Sequence, residues 1–560
     1  MPRSKRSLPF LNWPTPNGQL LKSEAFAGLS VGLMIIPQGV AYAALAGMPL
    51  ITGIYASLLP ALIAVLFSAS QRLSVGPTAL TAILVSASLG GMATPGSAEW
   101  VNLTVWLSLM TGLLQVVLGF ARFGWLLNLV SSPVLMAFTQ GAGVLIISSQ
   151  IPAMLGLTKG WSTLLTGVGF DWASMVFGVV TLVLLVWARR WRPTFPTVLV
   201  VVLGAAAASW TLGLEASGTA VVGVLPQGLP ALFVPSLIEW DVFRQLVLPT
   251  LVITLVSFLE TASSAKVDND RSGKRWDQDQ DLIGQGLAKV ASGLCGAFPT
   301  SSSFSRSALN LYAGAQSGWA TLVSVVVILV ILLFFTTVLQ PVPQSVLAAI
   351  VVAAVLGLIK PHAFVKLYRI DRVEAATAVV TFVITLLSAP RLYWGVLAGV
   401  VMGLSHFLHT RLHPRIIEVG LHDDGSLRDR HLWKLPPLAN HLYALRMDAE
   451  LDFAAASSLE RAVMEHLTQH PNVRHVCLFA LPINRIDATG VEALAKLETL
   501  LRERGVALHI SGMKLPVETM LRRAGCLQAH AGLHMYRTDA EAIQHLRQLE
   551  ALPADMGWCI

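Results

Sequence analysis

A hydroxyl-rich run that contains an arginine interrupts apolar sequence in the second half of this chain. Residues 299–309 read P-T-S-S-S-F-S-R-S-A-L, between the apolar stretches 290–298 and 320–339. An arginine at membrane depth costs about 3 kcal/mol or more, so Arg306 is expected to serve a purpose. A helix that opens on such a run also offers free backbone N–H groups and the positive end of its dipole. The run therefore predicts an anion site inside a membrane.

The composition indicates a membrane protein with a soluble tail. The chain has 560 residues, of which 54% are hydrophobic and 13% are charged, whereas soluble domains are about 25% charged. Charge is almost absent from residues 25–65, 76–120, 123–188 and 317–358 and abundant after about residue 411. This asymmetry predicts a large membrane domain followed by a soluble one. The net charge of +7 forms no concentrated basic face, so nucleic-acid binding is not expected.

Fourteen helical segments are predicted in the membrane part, because a span needs roughly 20 apolar residues. They lie at residues 24–45, 50–68, 78–92, 102–120, 124–150, 172–190, 196–212, 245–265, 280–297, 305–316, 317–338, 345–358, 372–388 and 391–410. Four cysteines, at positions 295, 477, 526 and 559, lack metal-ligand spacing, and neither a metal nor another cofactor is expected.

The positions of Lys and Arg predict the orientation of these segments. Basic clusters occur at the N-terminus, at 72, 122, 189–192, 266–275 and 360–372, and after 411, whereas 211–243 and 339–345 have none. With the N-terminus inside, the fourteen segments bring every basic cluster to one side, and such loops stay in the cytoplasm. The chain is therefore expected to be a multi-pass protein of the cell inner (plasma) membrane with both termini in the cytoplasm.

Two of the predicted segments are too short to cross a membrane alone. One follows R-L-S-V-G-P at 72–77 and the other follows A-F-P-T-S-S-S-F at 297–304, so each has an extended, Pro-containing lead-in. They are the third and the tenth segments, which are equivalent positions in two halves of seven. Paired interrupted segments in inverted halves indicate the central site of a transporter, because irregular backbone is tolerated only where it lines a cavity.

The motifs of the first, third and tenth segments resemble those of one known family. Residues 26–56 read F-A-G-L-S-V-G-L-M-I-I-P-Q-G-V-A-Y-A-A-L-A-G-M-P-L-I-T-G-I-Y-A. With S-V-G-P-T-A-L-T at 74–81 and F-P-T-S-S-S-F-S-R-S at 298–307, this sequence resembles the SulP (sulfate permease) family of anion transporters, whose animal relatives include prestin and pendrin. The resemblance covers about residues 20–545.

The resemblance implies an architecture and a division into domains. The fold would be an α-helical membrane protein of two inverted seven-segment repeats, arranged as a core and a gate, with a cytoplasmic α/β STAS domain. The implied boundaries are a cytoplasmic N-terminus at 1–20, a transmembrane transport domain at 21–412, the STAS domain at 413–550 and a C-terminal tail at 551–560. A homodimer in the lipid bilayer is expected, with the STAS domain serving in folding, trafficking and dimer contacts.

The resemblance also implies site residues, carried over position by position. The implied substrate-binding residues are Gln38, Tyr42, Thr78, Ser305 and Arg306. Structural interpretations stay open beside this one. Arg306 could bind backbone carbonyls or extend to the interface, Gln38 and Tyr42 could pack between helices, and Thr78 could be a helix N-cap.

Glu260, in F-L-E-T-A-S-S-A-K, matches the acidic position of the family's eighth segment. Relatives with Glu there resemble proton-linked transporters, so Glu260 is expected to couple transport to a proton. A carboxylate near the membrane midplane can exchange a proton during transport. The alternative is a carboxylate facing water at the helix end, because Lys266 follows six residues later.

The tail after residue 413 alternates strand-like and helix-like segments, which predicts an α/β layer. Strands are expected at Tyr443–Met447, His475–Ala480 and Val506–Ser511. An amphipathic helix is expected after the first strand, a second after Asp487 as its N-cap, and a third near Val517–Ala524.

The favoured function is secondary active transport of small inorganic or organic anions of the sulfate, bicarbonate or dicarboxylate class. It would be proton-coupled and would use an elevator-like movement of the core. One alternative is an anion sensor or scaffold with little transport. Another is a nucleobase–proton symporter, which would be expected to carry a carboxylate in the tenth segment. An enzyme is not expected, because the chain has no nucleophile–base motif or phosphate-binding loop.

Overall fold

A computed structural model describes residues 8–157, 160–161, 169–191, 197–272, 276–389, 391–526 and 532–551. The chain divides into two compact units, Met1–Gly403 and Leu404–Ile560. The first fifteen helices, α1 to α15, are Gly18–Leu45, Thr52–Phe67, Ala79–Leu89, Ala98–Phe120, Ser132–Met154, Trp172–Trp191, Thr197–Leu212, Trp240–Ser272, Gln278–Leu294, Phe304–Tyr312, Trp319–Phe334, Gln344–Leu356, His362–Ile370, Arg372–Leu387 and Tyr393–Leu412. By length and composition, α1, α4, α5 and α8 are each sufficient to cross a membrane.

Each of the fourteen predicted segments contains one helix, namely α1–α12, α14 and α15. The largest difference is at α5, which begins at Ser132 rather than at residue 124. Arg122 has a positive φ of 62° and Gly124–Leu129 forms a 3-10 turn, after which a proline in the first helical turn starts α5. Helix α13 was not predicted. It is short and amphipathic and has no buried residue, so it gives no apolar run of spanning length.

The helices of the membrane part pack in two groups. One consists of α1–α4 and α8–α11, in which α9 lies against α4 and α2, and α11 lies against α1. In the other, α12 and α14 pack on α5, and α12 also contacts α6. Glycines allow the closest approaches. A Cβ on Gly53 of α2 would collide with the Gly39 carbonyl of α1, and one on Gly28 would collide with the Ala320 carbonyl of α11. The two-group packing matches the core and gate implied by the sequence.

The second unit contains a six-stranded sheet with the order β4-β3-β5-β6-β7-β8. Its strands β3 to β8 are Ile416–Leu421, Leu427–Asp429, Leu442–Met447, His475–Phe479, Ala507–Ser511 and Leu533–Tyr536. Strands β5 to β8 are parallel to one another, and β3 is antiparallel to both of its neighbours. The short helix α16 is Arg430–Trp433, and α17 to α20 are Ala456–Gln469, Ala488–Glu503, Leu515–Arg523 and Asp539–Ala551.

Two apolar layers cover this sheet. Side chains of α17, α18 and α19 share one core with Leu445, Leu478 and Ile510, while α20 packs on the opposite face against Cys477 and Phe479. The predicted strands β5, β6 and β7 and the N-cap are confirmed, since the Asp487 carboxylate accepts from the Gly490 N–H at 2.8 Å. The edge hairpin β3–β4 and the strand β8 were not predicted.

Candidate functional site

The two short predicted segments meet in a two-stranded ladder. Strand β1 (Val75–Gly76) pairs antiparallel with β2 (Ser301–Ser302), and each strand leads directly into a half-helix, α3 or α10. The pairing extends beyond the ladder, because the Ser303 N–H donates to the Ser74 carbonyl at 3.0 Å. Since the strands are antiparallel, α3 and α10 run away from this ladder in opposite directions. The ladder thus brings together two helix N-termini that lie far apart in the sequence.

Arg306 lies on α10 and is fully buried. Its Nε donates to the Ser74 Oγ at 3.3 Å and its Nη1 donates to the Gln38 Oε1 at 3.4 Å. Its Nη2 has no hydrogen-bond partner among the described residues. A Cβ on Gly76 of β1 would lie 3.5 Å from this Nη2, so the strand packs closely against the guanidinium. Neither carbonyl binding nor extension to the interface describes this arginine, because its acceptors are side-chain oxygens and water does not reach it.

The N-terminus of α10 is not closed by its own N-cap residue. Ser303 is at the N-cap position but makes no side-chain cap hydrogen bond; its Oγ lies 3.3 Å from that of Ser305. Phe304 and Ser305 are exposed, while Arg306 in the next position is buried. The first N–H groups of a helix have no intrahelical acceptor. The first turn of α10 therefore presents unpaired N–H donors beside a buried cation.

Glu260 lies within α8, twelve residues before the helix ends at Ser272. Its side chain is half-buried. Its Oε2 accepts a hydrogen bond of 3.1 Å from the Thr78 Oγ1. The same Thr78 Oγ1 accepts from the Thr81 N–H at 3.3 Å and so caps α3. The interpretation of Thr78 as a helix N-cap is confirmed, and the same hydroxyl also contacts the acidic residue.

Tyr42 completes the cluster from α1, one helical turn after Gln38. It is buried, and its phenol is close enough to Arg306 and Glu260 to interact electrostatically with both. The structure therefore brings Gln38, Tyr42 and Arg306 together, and it joins Thr78 to Glu260. Ser305 is adjacent in sequence to Arg306 and lies at the exposed edge of this cluster.

The membrane part also contains buried charged residues outside the predicted set. Lys289 of α9 is fully buried and close enough to Glu260 for an electrostatic interaction. Asp281 accepts from the Ser70 N–H at 3.0 Å, and Glu24 accepts from the Ser317 N–H at 2.8 Å just before α11. The available sequence signal was a charged residue inside an apolar segment, which Lys289 shows.

Paired half-helices joined by a ladder, with a buried cation at one helix N-terminus, define a class of protein. They are the features of a secondary transporter built from inverted repeats, in which the substrate lies between discontinuous helices. The strand-and-helix tail adds a soluble α/β domain to this membrane fold.

The comparisons with known proteins identify the family. Residues 21–381 match the sulfate permease family and residues 437–542 match the STAS domain. The chain is 31% identical to a probable sulfate transporter of Mycobacterium tuberculosis, over 94% of this chain and 96% of that protein. It is also 31% identical to probable sulfate transporter 4.2 of Arabidopsis thaliana, over 91% of this chain and 79% of that protein. The chain therefore belongs to the sulfate permease family of anion transporters.

The fold matches that of a solved structure. The structure of the murine solute carrier 26 family member A9 anion transporter, in its inward-facing state, aligns with a TM-score of 0.85 and 20% sequence identity. The alignment covers 97% of this chain and 94% of that one. The predicted α-helical membrane fold of inverted repeats with a C-terminal STAS domain is thereby confirmed.

Proposed function

We propose that this chain is a proton-coupled secondary active transporter of small anions, sulfate among them. Gln38, Tyr42, Thr78, Ser305 and Arg306 form the substrate-binding site, and Glu260 carries the coupling proton. Sulfate transport is the activity that the names of the relatives from Mycobacterium and Arabidopsis print. Both termini lie in the cytoplasm, and the protein acts as a homodimer in the inner (plasma) membrane.

The observation that carries this proposal is the uncapped N-terminus of α10 beside Arg306. Backbone N–H groups and the helix dipole bind an anion without a full salt bridge, and this suits a site that must release its ligand in every cycle. The unpartnered Nη2 of Arg306 supplies positive potential from a buried position. We therefore assign direct contacts to Ser305 and the α10 amides, and the background field to Arg306.

Proton coupling rests on the contact between Thr78 and Glu260. Glu260 is only partly exposed, so its ionised form is costly unless donors or cations compensate for the burial. An arriving anion adds negative charge nearby and thereby favours protonation of the carboxyl group. A proton that moves with the anion also lowers the net charge that crosses the membrane.

Alternating access is assigned to movement of the core helices α1–α4 and α8–α11 against the other group. The ladder, both half-helices and Glu260 all belong to the core, so the candidate site would move as one body. The interface for this movement is formed where α1 lies against α7 and α12.

The proposal is tested by uptake of labelled anions into proteoliposomes under imposed proton or sodium gradients. The panel contains sulfate, bicarbonate, a dicarboxylate and a nucleobase, and the variants are wild type, Glu260→Gln and the exposed control Glu239→Gln. We expect an inward proton gradient to drive sulfate accumulation in wild type and in the control but not in Glu260→Gln. Uptake that ignores the proton gradient in wild type would refute coupling. Absence of anion uptake would favour a sensor or scaffold, and uptake of the nucleobase would favour the symporter alternative.

A further inference from the structure

We propose that Lys289 is the internal countercharge of Glu260 and sets the pH range over which Glu260 takes up and releases its proton. Lys289 is thus a positioning residue that acts through Glu260 without touching the anion. The inference rests on the proton coupling proposed above and extends it to a residue on a different helix. It starts from a fully buried lysine in a membrane helix, which is too costly to be retained without a compensating partner.

The surroundings of Lys289 satisfy only part of its hydrogen-bonding capacity. Its Nζ donates to the Gln115 Oε1 of α4 at 2.9 Å. The Gln115 Nε2 donates to the Thr254 carbonyl and to the Ser257 Oγ, both at 3.1 Å. A carbonyl can only accept, so the amide nitrogen must face α8 and the amide oxygen must face Lys289. Gln115 therefore holds the ammonium in place but supplies no charge.

Glu260 is the carboxylate that faces Lys289. Helix α8 carries Thr254, Ser257 and Glu260 at intervals of three residues. Residues three apart are neighbours on a helix surface, so Glu260 lies next to the residues that bind Gln115. Lys289 interacts electrostatically with Glu260, and the described residues include no direct ion pair between them. Because no direct ion pair holds the Glu260 carboxylate, it can change its protonation state while the positive charge of Lys289 still stabilises its ionised form.

The charged and titratable groups around Glu260 come from three elements. Lys289 faces it from α9, Arg306 from α10 and Tyr42 from α1. The Thr78 hydroxyl, at the N-cap of α3, donates a hydrogen bond to Glu260, whereas the Ser301 hydroxyl of β2 donates to the Ser257 carbonyl one turn earlier on α8. Arg306 is shared with Gln38, Ser74 and, in our proposal, the anion. When the bound anion offsets the positive charge of Arg306, Lys289 is therefore the cation that still compensates the charge of Glu260.

The consequence concerns the proton cycle. With Lys289 charged, an ionised Glu260 is compensated and can release its proton on the low-proton side. Without Lys289, the ionised carboxylate loses a cation and the carboxyl group stays protonated to higher pH. A proton that is not released cannot couple anion movement to a gradient.

The test is a double-mutant cycle on the full-length protein in proteoliposomes, with labelled sulfate as the probe. The variants are Lys289→Met, Lys289→Arg, Glu260→Gln and Lys289→Met/Glu260→Gln, with the exposed Lys366→Met as a matched control. We expect Lys289→Met to move the midpoint of the pH profile of uptake upward by about one unit or more. Lys289→Arg should keep the wild-type midpoint to within about half a unit, because it retains the charge.

A second readout separates charge balance from a merely structural role. Sulfate counterflow at constant pH requires no net proton movement. We expect it to fall about tenfold in each single charge-removing variant, because each leaves one charge uncompensated, and to recover to within about threefold of wild type in the double variant. If Lys289→Met yields no monodisperse protein, the double variant decides: its recovery supports the pairing and its failure overturns it.

The outcomes distinguish this inference from the proposed function. Wild-type uptake that ignores a proton gradient would refute the coupling itself. A second outcome would overturn only the role of Lys289. In that outcome, wild type shows proton-driven uptake that Glu260→Gln loses, but the pH profile of Lys289→Met is not shifted. A shifted midpoint with recovery in the double variant would support both.

Discussion

The half-helices α3 and α10 occupy equivalent places in the two halves of the membrane unit, yet their N-termini differ. Thr78 caps α3 with its own hydroxyl, and the residues of this helix are buried except Ser86. Ser303 leaves α10 uncapped, and Phe304 and Ser305 are exposed. The difference indicates that equivalent half-helices in two inverted repeats can have different roles. In the proposed mechanism, the closed end of α3 contacts Glu260 and serves the proton, while the open end of α10 receives the anion.

The largest effect is expected when α10 is given the cap that it lacks. Ser303→Asp would place a carboxylate on the unpaired N–H groups of the first turn, where it satisfies the donors and repels an anion. We expect sulfate uptake to fall by about 100-fold or more, since about 3 kcal/mol of binding is removed. The matched control is Ser97→Asp, because Ser97 already caps α4 by accepting from the Trp100 N–H. Equal uptake by the two variants would contradict the assignment of the anion to α10.

A smaller effect is expected from Arg306→Lys, which keeps the charge but loses the guanidinium geometry. The hydrogen bonds to Ser74 and Gln38 would be lost or rearranged, and the positive potential would remain. We expect the half-saturation concentration for sulfate to rise about tenfold while the maximal rate changes by less than about threefold. A complete loss of transport in correctly folded protein would show that Arg306 binds the anion directly and that the α10 amides do not suffice.

The cap difference itself predicts a contrast in stability. Thr78→Val removes the hydroxyl that accepts from the Thr81 N–H and donates to Glu260, and we expect it to cost about 1 kcal/mol. Ser303→Ala should cost about 0.5 kcal/mol or less, because Ser303 makes no side-chain cap bond. Thermal unfolding of the purified full-length variants in detergent measures both. A larger destabilisation by Ser303→Ala would reverse the comparison.

The smallest effect on transport is expected from changes in the soluble unit. There, a buried histidine shows how burial affects a titratable group away from the candidate site. The two ring nitrogens of the fully buried His509 form hydrogen bonds with the His475 ring and with the Tyr536 hydroxyl, on the neighbouring strands of the sheet. Burial lowers the pKa of His509 to about 3. A histidine whose folded pKa is depressed contributes stability above its unfolded pKa of about 6.5, and that contribution is lost as the pH falls towards 3.

This pH dependence gives a prediction for the second unit. By pH 5 we expect the unit to lose about 2 kcal/mol of stability, and His509→Gln should flatten the loss. Hydrogen exchange of β7 in the full-length protein, corrected for the intrinsic effect of pH, measures it. An equal pH dependence in wild type and His509→Gln would assign the effect to other groups.

Much of the fold could be predicted because apolar length and breaker residues act locally. Fourteen segments follow from hydrophobic runs, and the pairing of α3 with α10 follows from Pro77 and Pro299 with their Ser and Thr neighbours. Helix α13 and strand β4 were missed because neither contains a buried residue, so their apolar pattern is weak.

The sequence predicts which side chains the structure brings together, but not the contacts between them. Arg306 and Glu260 stand out as charges in apolar segments. That Thr78 contacts Glu260, or that Lys289 is held by Gln115, depends on tertiary packing between helices that are distant in sequence. A single sequence contains no signal for such pairs.

The central claim is that the anion binds at the open end of α10 and not at the capped end of α3. Diffraction from crystals soaked with selenate, a sulfate analogue with an anomalous signal, tests it most directly. We predict one anomalous peak within hydrogen-bonding distance of the first-turn N–H groups of α10, close to Ser305, which disappears in Ser303→Asp. A peak at the N-terminus of α3, or one that persists in Ser303→Asp, would contradict the account.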